Sequence, residues 1–252
     1  MKKVQIIILL TFGMLYAAQL SAQTALFKQA NAYYNQKDYD NAIVAYNQLI
    51  DSGYRDAILF YNLGNAYFKS DQIGHAILWY ERALRLSPNN KDIQYNLAFA
   101  NQQTIDRIEA VPPFFLKTWT LAVQNLFSAK GWAVISIALC TLLVCCILLI
   151  FLMSGYRWRM LFFTLACLSL AAIVCSIIFA SLQRNNVLRA DEGIVIEGSV
   201  TVKSTPDDSG TDLFTIHEGA KVKITDNAGD WIEVQFNDGN KGWMLTENVV
   251  GI

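Results

Sequence analysis

Charge is scarce in this sequence, and so is any imbalance between its two signs. Of 252 residues, 20 are Lys or Arg and 21 are Asp or Glu, for a net charge of -1. Charged residues make up 16% of the chain, against about 25% in an ordinary soluble domain. No basic stripe is available to neutralise a phosphate backbone, which excludes nucleic acid as a partner. Histidine is limited to His75 and His217, far apart in the chain, so an imidazole-rich metal site is excluded. Cys140, Cys145, Cys146, Cys167 and Cys175 all fall within apolar blocks, which leaves the polar parts without cysteine. Those parts therefore have no disulfide framework, no thiolate metal site and no Cys nucleophile in water. No Ser, His and carboxylate set stands out, and no Gly-rich loop is built to cradle a phosphate. The expectation is a chain that is not an enzyme and carries no cofactor.

What the chain has in quantity is apolar sequence, 54% by composition and gathered in blocks. Lys2 and Lys3 precede an apolar run from Val4 to Ala18, and small residues follow at Ser21 and Ala22, which reads as a signal peptide over residues 1–22. Residues 132–153 and 160–183 contain no charge, and each is long enough to cross about 30 Å of hydrocarbon. The loop between them, residues 154–159, carries Arg157, Trp158 and Arg159, residue types suited to a headgroup layer. Pro112 and Pro113 open an amphipathic stretch over residues 108–131, with Phe115, Trp119, Ala122 and Leu126 on one face and Lys117, Thr120, Gln124 and Ser128 on another. It reads as a helix lying in the lipid interface; the competing reading is a last solenoid helix packed on the residues before it.

Those preceding residues repeat with a period of 34: Tyr33 recurs as Tyr67, Ala42 as Ala76 and Tyr46 as Tyr80. A period of this length marks stacked helical hairpins. The second copy carries Leu63, Gly64, Tyr67, Ala76, Tyr80, Ala83 and Pro88 where the tetratricopeptide pattern places such residues. The first has Gln29 and Ala30 in place of Leu-Gly, and no closing Pro. The segment Tyr95-Asn96-Leu97-Ala98 echoes Tyr61-Asn62-Leu63-Gly64 and reads as a capping helix. Residues 23–107 thus resemble two tetratricopeptide repeats, 23–56 and 57–90, followed by a cap.

Beyond Arg189 the period becomes two. Residues 193–196, 200–202, 221–224, 230–236 and 241–244 read as short strands, with a hairpin turn at Asn237-Asp238-Gly239-Asn240. Lys203-Ser204-Thr205-Pro206, His217-Glu218-Gly219, Asp230-Trp231, Asp238-Gly239 and Gly242-Trp243 follow the order found in bacterial SH3 domains, which residues 191–252 resemble. The fold class expected is a multidomain membrane protein: an all-α tetratricopeptide solenoid, a two-helix transmembrane hairpin and an all-β SH3-like barrel.

Signal peptide, repeats, hairpin and SH3-like domain, in this order, resemble the BatE family. The resemblance covers essentially the whole chain. It implies a place in an aerotolerance operon beside membrane proteins with von Willebrand factor A domains. The function expected is a membrane-anchored periplasmic scaffold in the inner membrane, with both soluble modules periplasmic, envelope proteins as partners and membrane lipid as surroundings. The alternative is a protein that binds cell wall (peptidoglycan) through the SH3-like domain.

Candidate binding residues follow from the repeat. Asn31 and Asn65 are 34 apart on the first helix of each hairpin, as are Asn62 and Asn96, and Tyr34 and Phe68. First helices line the concave face of such a solenoid, where amides can meet a peptide backbone. Phe27 and Asp92 stand where a carboxylate clamp has cations, so capture of a C-terminal carboxylate is not expected. His75 is expected to be a surface or packing residue and His217 to belong to a turn. Trp231 and Trp243 are read as barrel core ahead of a ligand shelf, which makes them the candidate surface of the SH3-like domain only in the second case. Membrane cysteines have little thiolate character, and packing between helices is their expected role ahead of redox chemistry.

Overall fold

The computed structural model describes residues 22–106, 115–188 and 191–252. Of the expected signal peptide, residues 1–22, only Ala22 falls among these residues, and the start of the expected amphipathic linker, residues 108–114, lies outside them. The described residues form two compact units. One joins residues 22–84 and 91–106 to 191–252; the other comprises residues 85–90 and 115–188.

The helical part of the first unit is five helices: α1 (22–35), α2 (Tyr39–Asp51), α3 (Ala57–Lys69), α4 (Ile73–Leu86) and α5 (Lys91–Asn101). Asp38 caps α2 through the Asn41 amide, and Asp56 caps α3 through the Ile58 amide at 2.8 Å. Where the first repeat lacks a closing Pro, Gly53 ends α2 in the left-handed region at φ +84°, and Tyr54 N donates back to Leu49 O at 3.0 Å. Ala42, Tyr46 and Leu49 of α2 and Leu59, Leu63 and Ala66 of α3 fill the seam between hairpins. Gly64 is the small residue this seam requires: a Cβ there would stand 2.7 Å from Cδ1 of Tyr80.

The rest of this unit is one antiparallel sheet of seven strands: β1 (Glu192–Val195), β2 (Ser199–Lys203), β3 (Asp212–His217), β4 (Lys221–Ala228), β5 (Trp231–Phe236), β6 (Lys241–Leu245) and β7 (Val249–Gly251), in the order β3-β2-β6-β5-β4-β1-β7. Every strand sends side chains into one core of Val195, Val202, Ile216, Val222, Val234, Met244 and Val249 among others, so the sheet curls around it as an SH3-like barrel. Two strands escape the sequence reading. In β3 the side chains of Asp212, Leu213 and Thr215 are exposed, which blurs the alternation, and β7 is three residues long. His217 is the last residue of β3; the turn is formed by Glu218 and Gly219.

The second unit holds α6 (Phe115–Gln124), α7 (Ala129–Leu152) and α8 (Tyr156–Leu188). By length and composition α7 and α8 can each cross a membrane, as an anchor would. Both begin before their expected first residues. Ser128 caps α7, accepting from Gly131 N, and residues 156–159, expected in the loop, are already helical. They contain no Gly or Pro to stop a helix, so the connection shrinks to residues 153–155. Along α8 the side facing α7 runs Ala166, Ser169, Ile173, Ser176, Ala180 and Gln183, alternating steps of three and four. Its polar members are satisfied: Ser176 Oγ donates to Trp132 O at 2.9 Å, and Gln124 Nε2 to Gln183 Oε1 at 3.0 Å. Small and hydrogen-bonded residues at the seam, with apolar ones outside, are the pattern of helices packed in lipid. In α6, Gln124 is buried on α8 while Phe115 and Trp119 are exposed, an inverted polarity that suits the lipid interface. Cys146 lies in the seam, the other four cysteines face outward, and all five are free thiols.

Gly64→Ala puts a methyl group against the Tyr80 ring. It should cost about 1–3 kcal/mol of repeat stability, seen as a lower melting temperature by circular dichroism.

Candidate functional site

The repeats place all six candidate groove residues on neighbouring helices. Asn31 and Tyr34 come from α1, Asn62, Asn65 and Phe68 from α3, and Asn96 from α5. The asparagines are not simply solvent-facing. They form two equivalent rungs. In the first, Oδ1 of Asn31 accepts from Tyr46 OH at 2.6 Å and from Asn62 Nδ2 at 3.2 Å. In the second, Oδ1 of Asn65 accepts from Tyr80 OH at 2.7 Å and from Asn96 Nδ2 at 2.8 Å. Each partner in the second rung is the residue 34 positions after its counterpart in the first. An amide offers two donor hydrogens and two lone pairs, so each rung uses only part of the capacity of its asparagines.

Two hollows open over these rungs. One of about 300 Å³ is lined by Asn31, Tyr34, Asn35, Tyr46, Asn62 and Asn65. The other, of about 320 Å³, includes Tyr34, Asn65, Phe68 and Asn96. Tyr34 and Asn65 border both, which makes one groove. Tyr61, Lys69, Tyr95 and Phe99 also line the second hollow and were not singled out from sequence. The repeat held the signal for two of them, since Tyr61 and Tyr95 are 34 apart. Phe99 stands at the place of Asn31 and Asn65 in the next repeat, so the amide ladder ends in an aromatic ring stacked near Tyr95 and Phe68. Phe27, at the place of a clamp cation, packs instead on Tyr46, with ring centroids 6.2 Å apart. His75 packs as expected, stacked on Tyr67 with centroids 5.0 Å apart; burial pushes its pKa down, against the pull of Glu218.

On the barrel, the expectation that Trp231 and Trp243 fill the core is overturned. Antiparallel pairing sets Trp231 opposite Leu245 and Glu233 opposite Trp243, on the face away from Ile232, Val234 and Met244. A strand alternates its faces, and the aliphatic residues took the inner one. Both indoles are half-buried on the outer face. Between them Glu233 accepts from Thr225 Oγ1 and pairs with Lys241 at 3.6 Å. Lys203 pins the following loop through Asp208 O at 3.0 Å, Gly210 O at 3.3 Å and the Asp212 carboxylate at 3.0 Å.

Burial, and then the neighbouring Tyr34, push the Tyr46 phenol up to about 12, and Tyr80 moves in the same direction. A raised phenol pKa means that the fold favours the protonated form. Its contribution to stability is therefore complete below the unfolded value of about 10 and lost as pH rises through the folded value. Melting temperature should fall between pH of about 10 and 12. Tyr46→Phe should flatten that fall while lowering stability at neutral pH by about 1 kcal/mol.

Models of known families match three stretches of the chain. A Tetratricopeptide repeat covers residues 24–56, a TPR repeat residues 64–104, and a Bacterial SH3 domain residues 198–250. Comparison with curated proteins gives no significant match. The chain therefore carries tetratricopeptide repeats, a module class suited to protein partners, and a bacterial SH3 domain, suited to protein or cell-wall ligands, separated in sequence by two apolar helices.

Proposed function

We propose that this chain is a membrane-anchored adaptor without catalytic chemistry, whose groove holds a peptide segment of an envelope partner. The observation that carries this reading is the pair of hydrogen-bonded amide rungs, set in register by the repeat and roofed by aromatic hollows. Prearranged amides meet a partner's backbone without first being ordered, and Tyr34 and Phe68 bury its side chains. The order of modules resembles BatE. On that resemblance the partners are membrane proteins with von Willebrand factor A domains, and the setting is aerotolerance or stress resistance. Both soluble modules lie on the periplasmic side, with Arg157 and Arg159 in the cytoplasm. The grouping of residues 22–106 with 191–252 in one compact unit supports a shared side, because a chain that crosses twice returns to the side it left.

A second reading is favoured by the outward indoles of Trp231 and Trp243: the barrel holds cell wall. The two readings part in one experiment. Asn65→Ala combined with Phe68→Ala should abolish co-purification of the main envelope partner while circular dichroism stays unchanged. A buried amide left without its partner costs roughly 1–3 kcal/mol, a five- to 150-fold loss of affinity. A folded double variant that keeps every partner contradicts the groove, and binding of that protein to purified wall would then move recognition to the barrel. Reporter fusions at Asp106 and at Ile252 should both behave as exported; a cytoplasmic signal from either contradicts the topology.

A further inference from the structure

A stack of helical hairpins leaves its last pair with one side uncovered, and repeat arrays need a cap there. Here α5 begins a third hairpin, and among the described residues no second helix of the repeats follows it. The turn between β3 and β4 lies against this end. Gly219, with φ +86°, approaches so closely that a Cβ would stand 2.6 Å from Cγ2 of Thr104 and 2.8 Å from Cδ1 of Ile77. His217 N donates to the Asp106 carboxylate at 2.6 Å, and its Nδ1 lies 3.2 Å from the other oxygen. Glu218 reaches the start of α4, where its carboxylate accepts from Gly74 N at 2.9 Å. Gln72, just before α4, is not a residue type favoured for capping, so the barrel supplies the anion that the helix N-terminus favours. Further along α4, Glu81 accepts from Lys221 Nζ at 3.1 Å, and Arg82 donates to Gly251 O at 2.5 Å. Burial disfavours the Lys221 ammonium, but Glu81 and Glu192 outweigh it and hold its pKa above the ordinary lysine value.

Gly74, Ile77 and Glu81 are spaced by three and four, one face of α4. Tyr80, on the same helix, feeds the second amide rung with Asn96 of α5. We propose that the β3–β4 turn is the end cap of the repeat array, standing where the second helix of a third repeat would pack, so that the last rung of the groove keeps its shape through the barrel. The sequence His217-Glu218-Gly219 then has a role beyond turning the chain. Its residues meet the end of the solenoid at different points, His217 at Asp106, Glu218 at Gly74 and Gly219 at Thr104 and Ile77. This inference concerns the ordering of the groove and holds whatever the groove binds.

The test is hydrogen exchange on the full chain in lipid nanodiscs. Gly219→Val should drive the turn off Thr104 and Ile77, and exchange over residues 73–80 and 91–101 should quicken by about tenfold or more. Gly229→Val is the control. That glycine also has positive φ, +67°, but nothing lies within 4 Å of its Cβ position. It should leave α4 and α5 protected. Unchanged exchange in Gly219→Val, or equal effects of the two substitutions, overturns the proposal. If Gly219→Val also strips protection from β5 and β6, Glu218→Ala decides on the same helical segments. A second arm pairs Gly74→Cys with Glu218→Cys after replacement of the five native cysteines. The Cβ positions stand 3.1 Å apart, close to the roughly 3.5–4.5 Å of a disulfide. An oxidised crosslink with protected α5 supports the cap, and absence of any crosslink overturns it.

Discussion

The carboxylate of Glu218 meets the first turn of α4 from a different module, 2.9 Å from Gly74 N, and ties the barrel to the repeats. A helix N-terminus carries unpaired amides and a partial positive charge. When those groups are covered by protein, something must satisfy them. Here the satisfying group comes from the barrel, so burying the start of α4 and seating the barrel are one event. The helix then works on two sides. Gly74, Ile77, Glu81 and Arg82 receive the barrel, while Tyr80 points its hydroxyl into the amide ladder. A short array of hairpins has few contacts per residue, and a capped end matters more to it than to a long solenoid.

The same coupling gives meaning to the order of segments along the chain. Two modules that could pack as neighbours are separated by 84 residues, numbers 107–190. The segment between them holds two apolar helices, each long enough by length and composition to cross a membrane. Between α7 and α8, Ser176 Oγ donates to Trp132 O and lies 2.8 Å from Ser136 Oγ, and Gln124 of α6 donates to Gln183 of α8. Hydrogen bonds of this kind hold helices together where the hydrophobic effect contributes little. Of the five cysteines, Cys146 is buried and the other four are exposed, all as free thiols.

How much of this was legible in the sequence depends on the range of the interaction. The repeats were legible because a 34-residue period stamps the same seam twice, down to Gly64 under the Tyr80 ring. That the six candidate residues fall on neighbouring first helices was legible for the same reason. That the asparagines bond to tyrosines was not, since Tyr46 and Asn31 meet only when α1 and α2 fold together. The outward placement of Trp231 was legible in the alternation of its strand, because the run Trp231-Ile232-Glu233-Val234-Gln235-Phe236 sets it with Glu233 and Gln235. Strand β3 was hidden by exposed residues at most of its positions, and the helical start of α8 by an aromatic and cationic run that suits a loop equally well. The docking of His217, Glu218 and Gly219 is a tertiary event with no local signature, and pattern alone returns only a turn.

The repeats and the barrel share one compact unit. Spin labels placed at the exposed positions 48 and 223, through Gln48→Cys and Lys223→Cys after the native cysteines are replaced, report this directly in membranes. Pulsed dipolar spectroscopy should give one narrow distance distribution between them. A broad distribution, with barrel and solenoid sampling many separations, would contradict the account.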